Sequence, residues 1–116
     1  MTESSRVSAE EVKRRLKDNT EFERAVYLET FKIPRGKVST YGRIARRIGR
    51  PKAYRAVANA LHNNPLHPIV PCQRVVKADG GFGGRPDHAA GRRQQLIDEG
   101  IPIRDGKVVM SKDIVH

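Results

Sequence analysis

The break Gly49-Arg50-Pro51 constrains the fold most strongly, because it separates two segments that both have helical periodicity. Before the break, Thr40 is a suitable N-cap for a helix over residues 41–48, and Gly49 is a suitable C-terminal stop. After the break, Pro51 begins a helix over residues 51–63. Two helices this short, joined by so few residues, predict a helix-turn-helix.

The second of these helices has an apolar and a polar side. The apolar side carries Val57, Ala60 and Leu61, and the polar side carries Lys52, Arg55, Asn59 and His62. The helix also contains alanine at positions 53, 56, 58 and 60. Small side chains let a helix approach a nucleic-acid groove closely while Arg55 projects from it, but alanine is equally typical of simple helix propensity.

The N-terminal part contains two further helical patterns. Ser8 and Thr20 each begin a capping box, because a glutamate follows three positions later. The first box predicts a short peripheral helix over residues 8–18, so that residues 1–19 form an N-terminal extension. The second predicts a helix that ends before Pro34.

The C-terminal part alternates short apolar runs with glycine. Residues 69–76 predict a buried strand or an extended loop, and residues 78–86 form a glycine-dense loop. A helix then runs from Asp87, its cap, to Glu99, and Asp105-Gly106 predicts a hairpin turn. The buried side of that helix is expected to carry Leu96 and Ile97.

Basic residues are concentrated in the middle of the chain. Residues 32–77 contain eleven lysines and arginines and no acidic residue, whereas residues 1–31 have a net charge of −1 and residues 78–116 are balanced. Each phosphate that such a segment neutralises releases condensed counterions, so nucleic acid is the expected partner. A merely solvated basic face is the alternative.

Several classes of protein are excluded by what the chain lacks. No apolar run approaches the ~20 residues of a transmembrane helix, and the N-terminus has no apolar core of a secretory signal. The single cysteine forms no intrachain disulfide, which favours an intracellular, reducing setting.

We expect no metal and no cofactor. The glycine-dense loop matches no nucleotide-binding fingerprint. The candidate metal ligands form no paired zinc pattern; they are His62, His67, Cys72 and His88.

Four separated motifs point to a known family. They are residues 33–41 (IPRGKVSTY), 55–57 (RAV), 64–65 (NP) and 71–76 (PCQRVV). In order and spacing they resemble the DNA-binding domain of O6-alkylguanine-DNA alkyltransferases and their alkyltransferase-like relatives, over about residues 20–100. The resemblance implies a small α/β single domain over residues 20–116, with short strands and a winged-helix-like helix-turn-helix of the alkyltransferase C-terminal type. The length of the chain favours the single-domain alkyltransferase-like branch.

The resemblance implies a protein that enters the minor groove, flips O6-alkylguanine out of the stack and holds it in a pocket. Tyr41 resembles the tyrosine that pushes the 3′ phosphate and hydrogen-bonds the flipped base, and Arg55 resembles the arginine finger that fills the vacated stack. Asn64 and Glu99 match polar residues that orient the active-site network. Without its motif, Tyr41 would be interpreted as a packed ring and Arg55 as a phosphate contact. Asn64 and Glu99 would be interpreted as helix caps. Further DNA- or base-binding candidates are Thr40, Lys52, Ala58, Asn59, Arg74, Val75 and Arg85.

Cys72 matches the nucleophile of the transferases. In those enzymes a histidine bridged to a glutamate assists deprotonation of the cysteine, and the thiolate then attacks the alkyl carbon in a single turnover. Gln73 stands where that histidine is expected, and an amide accepts no proton near neutral pH. Arg74 is the candidate for lowering the thiol pKa instead. Arg85 matches an arginine of the alkyltransferase-like proteins, and Pro86 has no N–H for the departing guanine oxygen. A buried, inert cysteine is the structural alternative.

The leading hypothesis is a lesion sensor that binds double-stranded DNA containing O6-alkylguanine as a monomer and marks it for nucleotide excision repair proteins. The enzyme alternative is a single-turnover methylated-DNA-protein-cysteine methyltransferase that uses Cys72. A nucleobase-directed hydrolase with Asp79 or Asp87 near the flipped base is a further alternative. A helix-turn-helix transcription regulator would instead bind duplex DNA without regard to the lesion.

Overall fold

The computed structural model describes residues 7–84 and 86–116. The helices are α1 (Ala9–Arg15), α2 (Glu21–Phe31), α3 (Tyr41–Arg47), α4 (Tyr54–His62) and α5 (Pro86–Asp98), and the strands are β1 (Ser39–Thr40), β2 (Val75–Val76), β3 (Ile103–Arg104) and β4 (Lys107–Val108). A 3₁₀ turn, Cys72–Arg74, leads into β2. Within the described ranges no helix has the length and apolar character needed to cross a membrane.

The first two helices begin at the caps that the sequence predicts. The Ser8 hydroxyl accepts the Glu11 N–H, and Thr20 forms a complete capping box with Glu23. The predicted short helix is confirmed as α1, and Val12 together with the C-cap residue Leu16 is completely buried in the main core. The two positions are four residues apart, so both side chains lie on the side of α1 that packs against α2.

The helix-turn-helix is formed by α3 and α4. Gly49 has a φ of +79° after α3, and the Arg50 N–H donates to the Ala45 carbonyl at 2.9 Å, which is a Schellman ending. The predicted start of the next helix at Pro51 is wrong by three residues, because Pro51 lies in a turn that the hydrogen bond from Ala53 N–H to Arg50 O closes. α4 therefore begins at Tyr54.

Two hydrophobic cores are joined by a two-stranded parallel sheet. The main core contains residues of α1 to α4 and Val70 and Val75, and the second core contains Val38, Val76, Leu96, Ile101 and Val108. β1 pairs with β2 in parallel, with Ser39 opposite Val75 and Thr40 opposite Val76. Residues 69–76 therefore divide into a loop, a 3₁₀ turn and a short strand.

The last helix and the hairpin agree with the sequence only in part. α5 begins at Pro86, so Asp87 lies inside the helix instead of capping it. Leu96 is completely buried as predicted, but the prediction that Ile97 is buried is wrong, since 46% of it is exposed. One residue is a rotation of about 100° on a helix, which turns Ile97 away from the core that Leu96 enters. The hairpin turn is confirmed at Asp105 and Gly106, which both have positive φ.

Candidate functional site

Cys72 begins the 3₁₀ turn directly before β2. Its own N–H donates to the Val70 carbonyl, and the Arg74 N–H donates to the Pro71 carbonyl, both at 2.9 Å. β2 pairs with β1, and β1 leads without a break into α3. The loop that carries the cysteine is therefore held against the start of the helix-turn-helix.

A cleft of about 690 Å³ opens beside Cys72. This volume falls within the range of about 300–1,000 Å³ that small-molecule pockets occupy. The end of α4, the loop before β2, the glycine-dense loop and α5 all contribute to it. The lining residues are Leu61, His62, His67, Cys72, Gly84, Asp87, His88, Gly91, Arg92 and Gln95.

The thiol of Cys72 is held in its protonated form. Burial raises its pKa above the ordinary value of a cysteine. Hydrogen bonding with Asn64 is the largest opposing cause, followed by the positive charge of Arg92, but neither reverses the direction of the shift. At neutral pH the thiolate, which is the nucleophilic form, is therefore scarce.

Arg92 is the functional candidate that the sequence analysis missed. It lies on α5, lines the cleft and donates a hydrogen bond to the Gly83 carbonyl. Its Nε atom is buried and has no hydrogen-bond partner among the described residues. The sequence does contain a signal for it, because His88, Arg92 and Gln95 follow an i, i+4, i+7 spacing on the predicted helix.

Gln73 and Arg74 both bind the carboxylate of Glu99. Gln73 Nε2 donates to Glu99 Oε2 at 2.9 Å, and Arg74 Nε donates to Glu99 Oε1 at 2.8 Å. A further Arg74 nitrogen donates to the Ile33 carbonyl at 2.8 Å, which ties the turn to the end of α2. The prediction that Arg74 lowers the thiol pKa is wrong, because the arginine whose charge acts on Cys72 is Arg92.

Asn64 connects the end of α4 to the cysteine loop. Its amide donates to the Val70 carbonyl at 2.7 Å, and its side-chain oxygen accepts the Leu66 N–H at 2.9 Å. The residue also lowers the pKa of Cys72 through a hydrogen bond. Asn64 is therefore a bridge within the loop, and the C-cap of α4 is its neighbour Asn63.

Tyr41 begins α3 and lies beside the cleft. Only 8% of the residue is exposed, and its hydroxyl is 3.5 Å from His62 Nε2. Burial raises the pKa of Tyr41, while the charge of Arg92 and a backbone hydrogen bond with Gly83 oppose that shift. The structure thus brings Tyr41 close to the cleft through His62, which the sequence placed on the polar side of α4 and which was otherwise considered only as a metal ligand.

The polar side of α4 is exposed as predicted. Arg55, Asn59 and His62 are exposed, and so is Lys52 just before the helix. The Arg55 guanidinium lies 5.9 Å from the centre of the Tyr54 ring. Of the other DNA-binding candidates, Ala58 is partly buried, and the side chains with the least exposure are those of Thr40, which caps α3, and Val75, which packs in the main core.

The remaining candidates separate into those near the cleft and those outside it. Asp87 lines the cleft, whereas the carboxylate of Asp79 accepts hydrogen bonds from Gly81 N–H at 2.8 Å and Lys107 Nζ at 3.0 Å in a different part of the fold. Arg85 lies outside the described residues. Within residues 7–84 and 86–116, no three histidine, cysteine or acidic side chains are grouped so that they could hold a metal ion.

Comparison with known proteins gives a consistent result. Residues 21–101 match the family model described as the DNA-binding domain of 6-O-methylguanine DNA methyltransferase. A methylated-DNA-protein-cysteine methyltransferase of Methanosarcina mazei is 51% identical over 65 residues, which are 56% of this chain and 41% of that protein. The chain thus spans about two fifths of the length of this curated relative.

Solved structures support the same relationship. The S. pombe protein Atl1, in complex with damaged DNA containing O6-carboxymethylguanine, superposes with a TM-score of 0.68 at 36% identity and covers 78% of this chain and 89% of its own. The O6-methylguanine methyltransferase of Mycobacterium tuberculosis superposes with a TM-score of 0.66 at 40% identity, over 70% of this chain and 49% of its own. The predicted small α/β fold with a helix-turn-helix is confirmed by these matches.

Proposed function

This chain belongs to the family of O6-methylguanine DNA methyltransferase DNA-binding domains, and from that premise we propose that it is a DNA-repair lesion sensor. In this proposal it binds double-stranded DNA containing O6-alkylguanine, flips the altered base and holds it in the cleft beside Cys72. The observation that carries the proposal is the hydrogen bond from Gln73 to Glu99.

That hydrogen bond bears on the chemistry because alkyl transfer needs a thiolate. The residue after Cys72 donates an amide hydrogen to Glu99 and accepts no proton, and the Glu99 carboxylate also binds Arg74. Burial meanwhile raises the pKa of the thiol. A flipped base would therefore meet a protonated cysteine, and the complex would persist instead of ending in transfer.

The electrostatics of the helix-turn-helix support binding to DNA. α3 and α4 lie within residues 32–77, which contain no acidic side chain. Arg55 and Asn59 extend from the exposed side of α4, and the cleft begins where that helix ends, at Leu61 and His62. A helix laid in a groove would place its C-terminal end, and with it the cleft, beside the nucleotides that the groove exposes.

Recognition without repair requires a second protein. A sensor complex that persists on the lesion would serve as the signal for nucleotide excision repair proteins, and this step is part of the proposal. Such a role needs slow dissociation from the lesion, which a filled cleft and an inserted arginine both favour.

A second function, suicide alkyl transfer, is supported by the position of Cys72 in the cleft and by Arg92. In that reaction the Cys72 sulfur would form a bond to the alkyl carbon, the bond from that carbon to O6 would break, and its electron pair would leave with the guanine, which takes up a proton. The arginine charge lowers the pKa of the thiol and so favours this path. The protein would be consumed with one alkyl group per chain.

The test of lesion sensing is a pair of binding measurements. Fluorescence anisotropy gives the Kd for two duplexes that differ only in one O6-methylguanine or guanine, with Cys72→Ser as the matched variant that cannot accept an alkyl group. Tighter binding of the lesion duplex by both proteins is the expected result. Equal Kd values for the two duplexes would overturn the proposal and favour a transcription regulator, and a released free base would favour a hydrolase.

A further inference from the structure

The described part of the chain brings two residues from neighbouring helices into contact at the edge of the cleft. His62 Nε2 lies 3.5 Å from the Tyr41 hydroxyl, and the two rings are nearly perpendicular, at 83° with centres 6.2 Å apart. His62 lines the cleft, whereas Tyr41 is almost completely buried behind the lining. The imidazole is therefore the group through which the Tyr41 hydroxyl meets the cleft.

The glycine-dense loop keeps this pair in contact. A Cβ atom added to Gly83 would lie 3.0 Å from the Tyr41 hydroxyl oxygen, and one added to Gly84 would lie 3.2 Å from His62 Nε2. Gly84 also has a φ of +82°, a backbone conformation that residues other than glycine rarely adopt. The backbone of this loop thus packs directly against both polar atoms.

The direction of the hydrogen bond follows from the surroundings of Tyr41. A backbone hydrogen bond with Gly83 acts to lower the Tyr41 pKa. A bond that favours the ionised phenol is one that the oxygen accepts, which leaves the hydroxyl hydrogen for His62. We assign to the neutral imidazole the tautomer in which Nε2 accepts that hydrogen. A neutral imidazole has one nitrogen that accepts a hydrogen bond, and a protonated imidazole has none.

We infer that His62 is a positioning residue for Tyr41: it holds the hydroxyl hydrogen while its Nε2 is unprotonated and turns that hydrogen toward the cleft when Nε2 carries a proton. The inference rests on the proposed function, because the binding of a flipped base is what would sense the direction of the hydroxyl. The inference gives α4 a role in base recognition in addition to the DNA contact that the proposed function assigns to this helix.

Several charged and titratable groups surround His62. Tyr41 approaches it from α3, and the other described groups of the cleft are Cys72 and His67 from the loop before β2 and Asp87, His88 and Arg92 from α5. The His62 side chain is partly enclosed by the cleft although the residue as a whole is exposed, and this partial burial lowers its pKa below the ordinary value. Electrostatic interactions with Arg92 and His88 act in the same direction. His62 is therefore neutral at pH 7, and Tyr41 is released toward the cleft only as the pH falls into the acidic range.

The test is the lesion selectivity of the protein as a function of pH. The quantity measured is the ratio of the Kd for the guanine duplex to the Kd for the O6-methylguanine duplex, between pH 5.5 and 8.0. The ratio cancels the general strengthening of DNA binding that histidine protonation causes. We expect it to rise several-fold as the pH falls in the unmodified protein, and to stay constant in His62→Gln and Tyr41→Phe.

His67→Gln is the matched control, because His67 lines the same cleft but contacts Gln95 at 3.2 Å and not Tyr41. The His67→Gln variant should keep the pH dependence, and a pH dependence that survives in His62→Gln would overturn the inference.

Proton NMR gives an independent readout that needs no variant. The Tyr41 ring resonances should shift at the midpoint of the His62 titration. Tyr41 chemical shifts that stay constant while His62 titrates would contradict the inference. A ratio of 1 at every pH would refute lesion sensing itself, while the NMR titration still decides the coupling.

Discussion

The side-chain amide of Gln73 donates a hydrogen bond of 2.9 Å to the carboxylate of Glu99, 26 positions further along the chain. Arg74 binds the same carboxylate, and the Glu99 side chain is only 6% exposed. This arrangement places a residue that accepts no proton beside the only cysteine of the chain. The proposal of lesion sensing over alkyl transfer rests on this arrangement.

Replacing Gln73 by histidine should activate Cys72. An imidazole at this position can donate one N–H to Glu99 and use its other nitrogen to accept the thiol proton, directly or through water. We expect the rate of alkyl transfer from an O6-methylguanine duplex to rise by roughly 100-fold, which is typical of general-base catalysis. The measurement is the time course of protein methylation. Gln73→Asn is the control, because its amide also accepts no proton. Equal rates in Gln73→His and the unmodified protein would show that residue 73 does not limit the reaction.

Alkylation of Cys72 by iodoacetamide should depend steeply on pH. Burial raises the thiol pKa, so the thiolate fraction grows tenfold per pH unit and does not level off between pH 6.5 and 8.5. Arg92→Gln removes a charge that lowers this pKa, and the rate at pH 8 should fall several-fold. Arg93→Gln is the matched control, because Arg93 lies over the Phe82 ring at 5.5 Å. A rate that is already constant above pH 7 would contradict the assigned protonation state.

Arg55→Ala should reduce selectivity for the lesion more than it reduces binding to DNA in general. If Arg55 fills the space of the flipped base, its loss costs about 1–3 kcal/mol on the lesion duplex and less on the guanine duplex. Lys52→Ala is the comparison, because an exposed lysine that contacts phosphate weakens both complexes equally. Equal losses on the two duplexes for Arg55→Ala would reduce Arg55 to a phosphate contact.

Leu96 and Ile97 should differ sharply in their contribution to stability although they are neighbours. Leu96 is completely buried in the second core, and Leu96→Ala should lower the free energy of unfolding by about 2–5 kcal/mol. Ile97 is 46% exposed, and Ile97→Ala should cost about 0.5 kcal/mol. Urea denaturation followed by circular dichroism measures both. Similar losses would mean that α5 is rotated relative to the structure described above.

The sequence predicted those parts of the fold that depend on local chemistry. Ser8, Thr20 and Thr40 cap their helices as expected, because a cap is formed by residues three positions apart. The start of α4 was not predictable, since Pro51 suits both the first turn of a helix and the corner of a β-turn. The choice depends on the bond from Ala53 to Arg50, which the residue pattern does not reveal.

The candidate site was predictable to the extent that its motif fixes it. Cys72, Asn64 and Glu99 were named as candidates through the family resemblance. In the structure Asn64 bonds to the cysteine loop, and Glu99 bonds to Gln73, the residue after Cys72. Arg92 was missed because its role depends on which side of α5 faces Cys72. That orientation is set by tertiary packing between residues 20 positions apart, which the local sequence pattern does not reveal. The contact between Tyr41 and His62 was missed for the same reason, since it joins two helices.

The most direct test of the central claim is the intact mass of the protein recovered from its complex with an O6-methylguanine duplex. Lesion sensing predicts that the protein is retained on the lesion duplex and that its mass is unchanged, with Cys72→Ser behaving identically. A stoichiometric gain of one methyl group, absent in Cys72→Ser, would contradict the claim and make the chain a transferase that functions with glutamine at position 73.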